Sequence, residues 1–293
     1  MPDAAGAARE VEALPAGWPA HRPLAVSLNV MLEGWTDGSA PGIGPMGNPL
    51  KAGVLDLQAR SWADYGPRTG AWRILEILER AGARAVFYVS GIVAERHAGL
   101  VRAIAAAGHS VAAHSWAQNI IPAMQSEEEE AQDLARCVAA LGEAAGSAPR
   151  GWLSPRCTPS ARTTGLLAGA GFAWHADFFD ADLPRLELTP AGPIVAMPFT
   201  VEVNDMPLYV RYGSDPESFS AILARIVDGW PLLGHRPGCL DITVHAHVFG
   251  RPAGAIELIA ALEVVRGAEW AWLTEHRALA GLYAAPVVEQ GVA

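Results

Sequence analysis

Short apolar runs alternate along the chain with longer segments in which apolar residues recur at helical spacing. The first run, Leu24–Leu32, is aliphatic and β-branched, which is typical of a buried strand. The segment Arg68–Ala81 has apolar residues at helical spacing and is followed by Gly82, which predicts an amphipathic helix that ends there. Seven or eight strand–helix units of this kind follow one another. This order predicts an α/β fold with parallel strands.

The same patterns give the other predicted elements. The later strands are predicted at Ala85–Val89, Ser110–Ala113, Gly151–Leu153, Phe172–Phe178, Ile194–Phe199, Leu240–Ala246 and Trp270–Leu273. The later helices are predicted at Gly91–Ala107, 126–145, Ser160–Ala170, Glu217–Trp230, Gly254–Val265 and Glu275–Leu282. Ser126 is a typical N-cap because four glutamates follow it, and acidic residues interact favourably with the first turn of a helix. Closure removes exposed sheet edges, so we predict a closed or nearly closed barrel rather than a doubly wound open sheet.

The domain organisation follows from the distribution of these elements. Residues 34–64 are rich in Gly and Pro without a clear period, and a loop this long is usually functional or disordered. We predict an N-terminal extension over residues 1–22, one barrel domain over residues 23–285 that contains this loop, and a C-terminal tail over residues 286–293.

Composition and motifs exclude several classes of protein. The 293 residues are 51% hydrophobic and 18% charged, so the chain is not mainly disordered. The net charge is -10 without blocks of Lys or Arg, which argues against a nucleic-acid partner. No G-x-G-x-x-G or G-x-x-x-x-G-K-[ST] motif follows a predicted strand, which weakens a nucleotide-binding interpretation.

Cysteine usage and apolar run length bear on location. Three cysteines are too few, and odd in number, for a disulfide scaffold, which favours a reducing compartment. Residues 1–20 lack the continuous apolar region of a signal peptide, and no apolar run approaches the ~20 residues that span a bilayer. We therefore predict a cytoplasmic protein with no membrane partner.

Polar residues follow the predicted strands at their carboxyl ends, where parallel α/β barrels carry their active sites. Glu33 follows the first strand, His114 the third, Arg156 the fourth, and His245 and His247 end the seventh. Further polar or aromatic residues at strand ends are Ser115, Trp116, Ser154, Asp177, Asp180, Asp182, Glu202, Asn204 and Asp205. A carboxylate, an arginine and several histidines at one end of a barrel predict a hydrolytic site.

Each of these residues taken alone also has an ordinary structural explanation. Glu33 could be a surface acid, His114 a hydrogen-bonded core histidine, and the aspartates after the fifth strand could cap a loop. His245 and His247 lie on the same face of an extended strand, where they could bind a metal, move a proton or bond to each other. A site is favoured because independent strands bring titratable groups to the same end.

Four short motifs occur in a recognisable order. They read YGPRTGAWR at 65–73, AAHSW at 112–116, DADLP at 180–184, and VHAH at 244–247 followed by GRP at 250–252. Their order resembles the NodB-type polysaccharide deacetylase superfamily (carbohydrate esterase family 4-like), and most closely its allantoinase-like and cyclic-imide-hydrolase-like branch. The resemblance covers about residues 24–282. It implies a distorted (β/α)7 barrel, hydrolysis of C–N amide bonds by water and, from the allantoinase-like branch, a homo-oligomer.

The sequence departs from the zinc enzymes of this superfamily at two positions. Those enzymes have a pair of carboxylates after the first strand and a His-[Ser/Thr]-x-x-His motif after the third. Here Met31 replaces one carboxylate and Gln118 the second histidine, which leaves Glu33 and His114, one ligand short of the usual three. We therefore predict that no cofactor is required. The alternative is Zn²⁺ on Glu33 and His114, with His245, His247 or Asp182 completing the set.

The resemblance leads to a hydrolase that opens a small cyclic imide or ureide of the allantoin, hydantoin or succinimide type. We predict that burial raises the pKa of Glu33, which then acts as the base on a water nucleophile. In this interpretation His245 protonates the leaving nitrogen and His114 orients water or substrate. Arg156 neutralises charge that develops on the carbonyl oxygen. The predicted partner is a small-molecule cyclic amide.

Other side chains are predicted to contact the substrate. Trp35, Trp116 and Trp174 are candidate walls for a flat ring, and Asp180, Asp182 and His247 are further candidate binding residues. Cys157 follows Arg156 and is a minor candidate for a nucleophile.

Two other functions remain open at this point. One is a zinc-dependent N-deacetylase of an acetylated amino sugar, which would need bound zinc and an open groove. The other is a catalytically silent barrel that serves as a binding module, which Met31 and Gln118 would support.

Overall fold

The computed structural model describes residues 14–41, 50–51, 54–234 and 236–289, and in these ranges it forms a ten-stranded sheet flanked by helices. The strands are β1 Leu24–Leu32, β2 Val86–Val89, β3 Ser110–Ala113, β4 Gly151–Trp152, β5 Trp174–Phe178, β6 Arg185–Thr189, β7 Gly192–Pro198, β8 Val203–Asn204, β9 Gly238–His245 and β10 Ala271–Thr274. The sheet order is β6-β7-β5-β4-β3-β2-β1-β9-β8, and β10 pairs with β1 off this path. All pairs are parallel except β6 with β7, which confirms the α/β class.

Most of the helices pack on the outer face of the sheet, whereas the last one packs through Leu279 and Ala280 against its inner face. Their bounds are α1 Leu57–Tyr65, α2 Ala71–Ala81, α3 Gly91–Arg96, α4 Ala98–Ala106, α5 Glu127–Ala145, α6 Thr163–Gly169, α7 Ser218–Gly229, α8 Pro252–Gly267 and α9 His276–Glu289. The start of α5 is a capping box, since Oγ of Ser126 accepts from the backbone N–H of Glu129, and the Glu129 carboxylate accepts from the backbone N–H of Ser126. The helix ends at Gly146, whose φ of 79° is left-handed.

Strand β1 is the central strand, and all nine of its residues are buried. It pairs with β9 on one side, and on the other with β10 along its first half and β2 along its second. Alternate residues such as Val26 and Val30 pack against the helices, whereas Ala25 and Met31 face the interior of the curled sheet. Glu33 continues the inward-facing row just beyond the strand, so its side chain lies at the carboxyl end of the barrel.

The sheet curls but remains open between its two end strands. No ladder joins β6 to β8 within the described residues, so the structure is a half-barrel, and hydrogen-bonded closure is not reached. The distorted-barrel architecture is confirmed. The antiparallel hairpin of β6 and β7 was not predicted, because Arg185–Thr189 is half-exposed and only two of its residues are apolar.

Three predicted boundaries are wrong. Residues 34–64, predicted as a structureless loop, contain most of α1, whose N-cap Asp56 accepts a hydrogen bond from the backbone N–H of Ala59. The single helix predicted over Gly91–Ala107 is broken at His97, whose ψ of 43° is not helical. The last helix, predicted over Glu275–Leu282, runs further, since α9 extends to Glu289. The division into one extension, one domain and one tail otherwise stays a prediction, and residues 1–13 lie outside the described residues.

Location and assembly stay predictions. Among the helices that the structure describes, none combines the length and apolar character needed to cross a bilayer. The cytoplasmic location and the homo-oligomer predicted above are not tested by the fold.

Candidate active site

Four side chains meet at the mouth of the half-barrel. The Nε2 atoms of His114 and His245 lie 3.6 and 3.7 Å from Oε1 of Glu33, and Nε2 of His247 lies 3.8 Å from its Oε2. The side chain of Glu33 is 11% exposed, and the three imidazoles are buried. The structure therefore brings together four of the residues that strand-end analysis selected.

The sheet register explains this convergence. Glu33 directly follows β1, His114 directly follows β3, and His245 is the last residue of β9. His245 pairs in register with Met31, which lies two residues before the inward-facing Glu33. His247 comes two residues later, after the chain has left the strand. Because parallel strands end on the same side of a sheet, these side chains meet at the same end of the half-barrel.

Asp205 fixes the orientation of His245. Its Oδ1 lies 2.6 Å from Nδ1 of His245, and its Oδ2 accepts the backbone N–H groups of His245 and Phe249. Nδ1 carries a proton because an ionised carboxylate only accepts hydrogen bonds, and Nε2 faces Glu33. Burial lowers the pKa of His245, but the negative charges of Asp205 and Glu33 outweigh it and raise the pKa above the usual 6.5. This environment favours the imidazolium.

The carboxyl of Glu33 does not behave as the sequence suggested. Burial alone would raise its pKa, but the facing imidazoles of His245, His114 and His247 lower it to about 2. The prediction of a raised pKa is wrong, because it considered desolvation without the three facing imidazoles. Glu33 is an ionised carboxylate at neutral pH.

His114 presents a nitrogen lone pair to Glu33. Its Nδ1 lies 2.6 Å from the backbone carbonyl oxygen of Leu153, which can only accept, so Nδ1 carries the proton. In the neutral ring, Nε2 is then an acceptor. The next residue, Ser115, has a left-handed φ of 58°, and its Oγ donates to Asp133 at 2.6 Å. Such a conformation in a non-glycine residue is typical of functional sites.

The segment that carries His245 and His247 packs against the helical segment at 65–73. A Cβ on Gly70 would lie 1.9 Å from the carbonyl oxygen of Ala246, so only glycine permits this approach. Arg73 donates to the hydroxyl of Tyr65 and to the carbonyl oxygen of Gly250. The YGPRTGAWR motif therefore acts by positioning the two histidines.

A second arginine closes the same arrangement. The guanidinium of Arg251 lies 4.0 Å from the ring centroid of Tyr65, and its Nε donates to the backbone carbonyl of His247 at 3.0 Å. Both ends of the turn after β9 are thus tied to the helical segment before α2.

A cavity of about 390 Å³ opens beside Glu33, which lies on its wall, while the three imidazoles lie behind Glu33 and do not line it. Trp35 also lines it, as predicted from the sequence, and its ring lies 5.5 Å from that of His247. The outer wall is more polar than expected. It includes Arg68, whose guanidinium lies 3.8 Å from a carboxylate oxygen of Asp64. A cavity of this size matches small-molecule sites.

Two of the tryptophans predicted as pocket walls lie elsewhere. Trp116 is buried in the outer core between the sheet and the helices, with the guanidinium of Arg136 3.4 Å from its ring centroid. Trp174 packs inside the half-barrel against Tyr88 and His276. The residue after His114–Ser115 points outward because the chain reverses at the left-handed Ser115, and Trp174 lies at the start of β5, away from its carboxyl end.

Three polar candidates do not join the cluster. Asp180 is exposed and pairs with Arg185 at 2.8 Å. The backbone carbonyl of Asp182 accepts from the N–H of Cys239 at the other end of β9. Cys239 lies six positions before His245 along β9, which is about 20 Å in an extended strand. Arg156 is exposed on the turn after β4 with a left-handed φ of 55°, and its guanidinium forms no ion pair with a described residue.

Two residues of the site were missed or left without a role. The sequence indicates Asp205 as a carboxylate at a strand end. Its contact with His245 joins residues 40 positions apart, so no local sequence pattern indicates it. Trp62, in the segment predicted as a loop, packs edge-on to His247 with ring centroids 4.4 Å apart.

The structure also bears on Cys157, the minor candidate for a nucleophile. Burial raises the pKa of Cys157, with the charges of Asp177 and Glu33 adding to the effect, so its thiol stays protonated and is a poor nucleophile.

Comparison with known proteins gives the family. Residues 62–174, from α1 to the start of β5, match the polysaccharide deacetylase family model. The chain carries a polysaccharide deacetylase domain. The matched part of this deacetylase domain contains His114, whereas Glu33, Asp205, His245 and His247 lie outside it.

Relatives extend the similarity beyond the matched segment. A Schizosaccharomyces pombe protein named "Putative polysaccharide deacetylase" is 24% identical over 260 residues, which is 79% of this chain and 78% of the relative. The crystal structure of PuuE allantoinase is 26% identical with a TM-score of 0.79 over 92% of both chains. A Mycobacterium smegmatis structure with the same name as the yeast protein is 26% identical, with a TM-score of 0.79 over 94% and 95% of the two chains. The chain is therefore similar both to proteins named as polysaccharide deacetylases and to an allantoinase.

The residues present do not fit the zinc site of the superfamily's zinc enzymes. The amide nitrogen of Gln118 donates to Oγ of Ser90 and to the carbonyl of His114, so this side chain ties the loop after β3 to the residue that follows β2. Met31 is buried in the interior of the half-barrel. In the described ranges, no group of three or more His, Cys, Asp or Glu is arranged to hold a metal ion. The three imidazoles surround the Glu33 carboxylate and do not converge on a shared point at which a metal ion could bind.

The low pKa of Glu33 gives a prediction for acid stability. Its folded pKa of about 2 lies below the usual 4.5, so its stabilising effect is complete above pH 4.5 and is lost as the pH falls towards 2. The difference in free energy of unfolding between the wild type and Glu33→Gln is therefore expected to shrink over that range, as measured by urea unfolding at a series of pH values. Glu269→Gln, at an exposed position, serves as the control and should show no such trend. A constant difference for Glu33→Gln would contradict the prediction.

Proposed function

We propose that this protein hydrolyses a C–N amide bond and opens the ring of a small cyclic imide or ureide. The observation that carries the proposal is the position of one ionised carboxylate, Glu33, at nearly equal distances from a proton-accepting imidazole and a proton-donating one. The similarity to PuuE allantoinase supports the choice of a cyclic amide.

Two acceptors are placed to hold the nucleophilic water. Oε1 of Glu33 and the lone pair on Nε2 of His114 lie 3.6 Å apart and face each other. A water molecule about 2.8 Å from both atoms would donate one hydrogen to each, which leaves an oxygen lone pair free to attack a carbonyl carbon. Glu33 and His114 therefore orient the water.

His245 is suited to protonate the leaving nitrogen. Its raised pKa favours the imidazolium, and its Nε2–H points into the same space as Oε1 of Glu33. A leaving amide nitrogen must gain a proton as the C–N bond breaks, because an amide anion is a very poor leaving group. This role is the one that the sequence predicted for His245.

The proton balance is simple. The water oxygen bonds to the carbonyl carbon and gives its proton to Nε2 of His114, while the C–N bond breaks and nitrogen takes the proton from His245. Positive charge thus moves from one imidazole to another, and Oε1 of Glu33 lies 3.7 Å from the first and 3.6 Å from the second. The carboxylate stabilises both charge distributions, so little electrostatic energy changes during the transfer. Release of the His114 proton to solvent and uptake by His245 restore the resting state.

The cavity favours a small ring over a polymer. Its volume of about 390 Å³ is in the range of small-molecule pockets, and the imidazoles behind Glu33 are almost completely buried. Cyclic imides are also activated acyl groups, which reduces the need for a Lewis acid.

A substrate panel tests the proposal. The purified protein, treated with a chelator, is expected to hydrolyse at least one of hydantoin, allantoin, succinimide and maleimide. Hydrolysis is measured by the loss of ring absorbance and by chromatography of the products. The control is Glu33→Gln, which should reduce the turnover at least 10²-fold because the water loses an ionic acceptor.

Other outcomes would contradict it. Hydrolysis of N-acetylated amino sugars that is lost on chelation and restored by Zn²⁺ would favour the zinc-dependent deacetylase. Absence of turnover on every substrate, with or without Zn²⁺, would favour a silent binding module.

A further inference from the structure

The side chain of His247 is buried at the site without a hydrogen-bond partner. Its Nε2 atom is inaccessible to solvent and bonds to no described residue. The nearest acceptor is Oε2 of Glu33, at 3.8 Å, which is beyond hydrogen-bond distance. A buried polar atom of this kind is unfavourable unless something else satisfies it. His247 does not itself line the cavity, but Glu33 does, so a ligand that binds against Glu33 and displaces its Oε2 would satisfy this nitrogen.

The imidazole ring is held rigidly in this position. The rings of Trp62 and Trp35 contact it edge-on, with interplanar angles of 87° in both cases. Its backbone carbonyl accepts from Nε of Arg251, and Gly66 packs against its backbone, since a Cβ there would lie 3.2 Å from the amide nitrogen of His247. Because these contacts already fix the imidazole, it can present one nitrogen to a substrate without losing further conformational freedom on binding.

The ring is neutral, and its proton position follows from its neighbours. Burial lowers the pKa of His247 to about 3, despite the opposing charge of Glu33. The negative charge next to Nε2 favours the tautomer that carries the proton there, because this turns the positive end of the N–H bond towards the carboxylate. Nε2–H is thus an uncharged donor that points to the catalytic carboxylate.

We propose that Nε2–H of His247 donates a hydrogen bond to the carbonyl oxygen of the amide that is cleaved, and stabilises the negative charge that this oxygen acquires. The proposal rests on the function proposed above and assigns a role that the sequence had given to Arg156. Arg156 is exposed on its turn, whereas His247 lies against Glu33. A neutral donor suits this place, because a second imidazolium would compete with His245 for the carboxylate.

The two carboxylate oxygens of Glu33 have different neighbours and, under this proposal, different roles. Oε1 faces His114 and His245, which move protons, and Oε2 faces His247, which moves none. The carbonyl oxygen is therefore expected on the Oε2 side, and the water and the leaving nitrogen on the Oε1 side.

The test compares His247→Phe, which keeps an aromatic ring without an N–H donor, with His247→Gln, which keeps a donor. His247→Phe is expected to lower kcat by about 10²–10³-fold with KM changed less than about threefold, since the hydrogen bond strengthens only as the oxyanion forms. His247→Gln should recover part of that loss. The alkaline limb of the pH profile should not move in either variant, because His245 is unchanged.

A substrate substitution provides a readout that a structural defect would not change. Sulfur is a weak hydrogen-bond acceptor, so the wild type is expected to prefer succinimide over dithiosuccinimide much more strongly than His247→Phe does. An equal preference in both, or a raised KM with unchanged kcat, would overturn the oxyanion role. If His247→Phe unfolds, as judged by circular dichroism, the same preference is measured in His247→Gln, where a loss of the preference would overturn the proposal. Failure of the wild type to hydrolyse any amide would overturn the proposed function itself.

Discussion

Replacing Asp205 with Asn is expected to lower kcat/KM by about 10²–10⁴-fold and to shift the alkaline limb of the pH profile to lower pH. Asp205 accepts from Nδ1 of His245 at 2.6 Å and is fully buried. An asparagine can still accept the two backbone N–H groups through one oxygen, but its NH₂ group then faces Nδ1. That arrangement favours the wrong tautomer of His245 and removes a charge that holds its pKa above 6.5.

The direction of the shift follows from the sign of this interaction. A raised pKa keeps His245 protonated to higher pH, so activity that needs the imidazolium falls as the pH rises through that value. Without the carboxylate, the imidazolium is lost at lower pH. The measurement is kcat/KM from pH 5 to 10 on the best substrate of the panel.

Asp177→Asn provides a matched control. Asp177 is also fully buried in its side chain and lies 3.2 Å from Nδ1 of a histidine, His175, but that pair does not face Glu33. This variant is expected to lose stability without a shift of the alkaline limb. Activity of Asp205→Asn within about threefold of the wild type would contradict the acid role of His245.

The second large effect is expected on stability. Gly70→Ala would place a Cβ 1.9 Å from the carbonyl oxygen of Ala246 and 3.2 Å from the Cα of Gly250. Both neighbours are backbone atoms, so the helical segment or the turn after β9 must move. We expect a loss of more than about 3 kcal/mol in the free energy of unfolding, together with reduced kcat, because the same turn positions His245 and His247.

Gly99→Ala is the control for this change. Gly99 lies in α4 with open space at its Cβ position, so alanine should be neutral or stabilise by up to about 1 kcal/mol. Both variants are compared by urea unfolding. Wild-type stability of Gly70→Ala would show that the turn can relax, and the positioning role of the motif would then be wrong.

Elements with complete local signals could be predicted from the sequence. β1 and β3 have the predicted bounds, and the capping box at Ser126 and the left-handed Gly146 fix both ends of α5. The predictions failed where tertiary contacts decide. β6 is a half-exposed edge strand that forms only by pairing with β7, and the helix predicted over Gly91–Ala107 breaks at His97, which no turn residue marks.

The same distinction applies to the site. Glu33, His114 and His245 could be found because position at a strand end is a local property that parallel topology converts into proximity. The pKa of Glu33 and the partner of His245 could not, since both depend on distances between residues far apart in the chain. Asp182 shows the limit of the rule, because the chain leaves the site directly after β5 and the backbone of Asp182 bonds to the opposite end of β9.

The three neighbours of β1 have a consequence for how the protein is made. Among the described strands it is synthesised first, yet two of its partners, β9 and β10, are synthesised last. Until then the edge that pairs with β9 stays unpaired on an apolar segment, which is prone to associate with other nascent chains. Expression at a reduced rate of translation initiation, or with a chaperone that shields exposed strands, is therefore expected to raise the yield of native protein more than changes to the surface would.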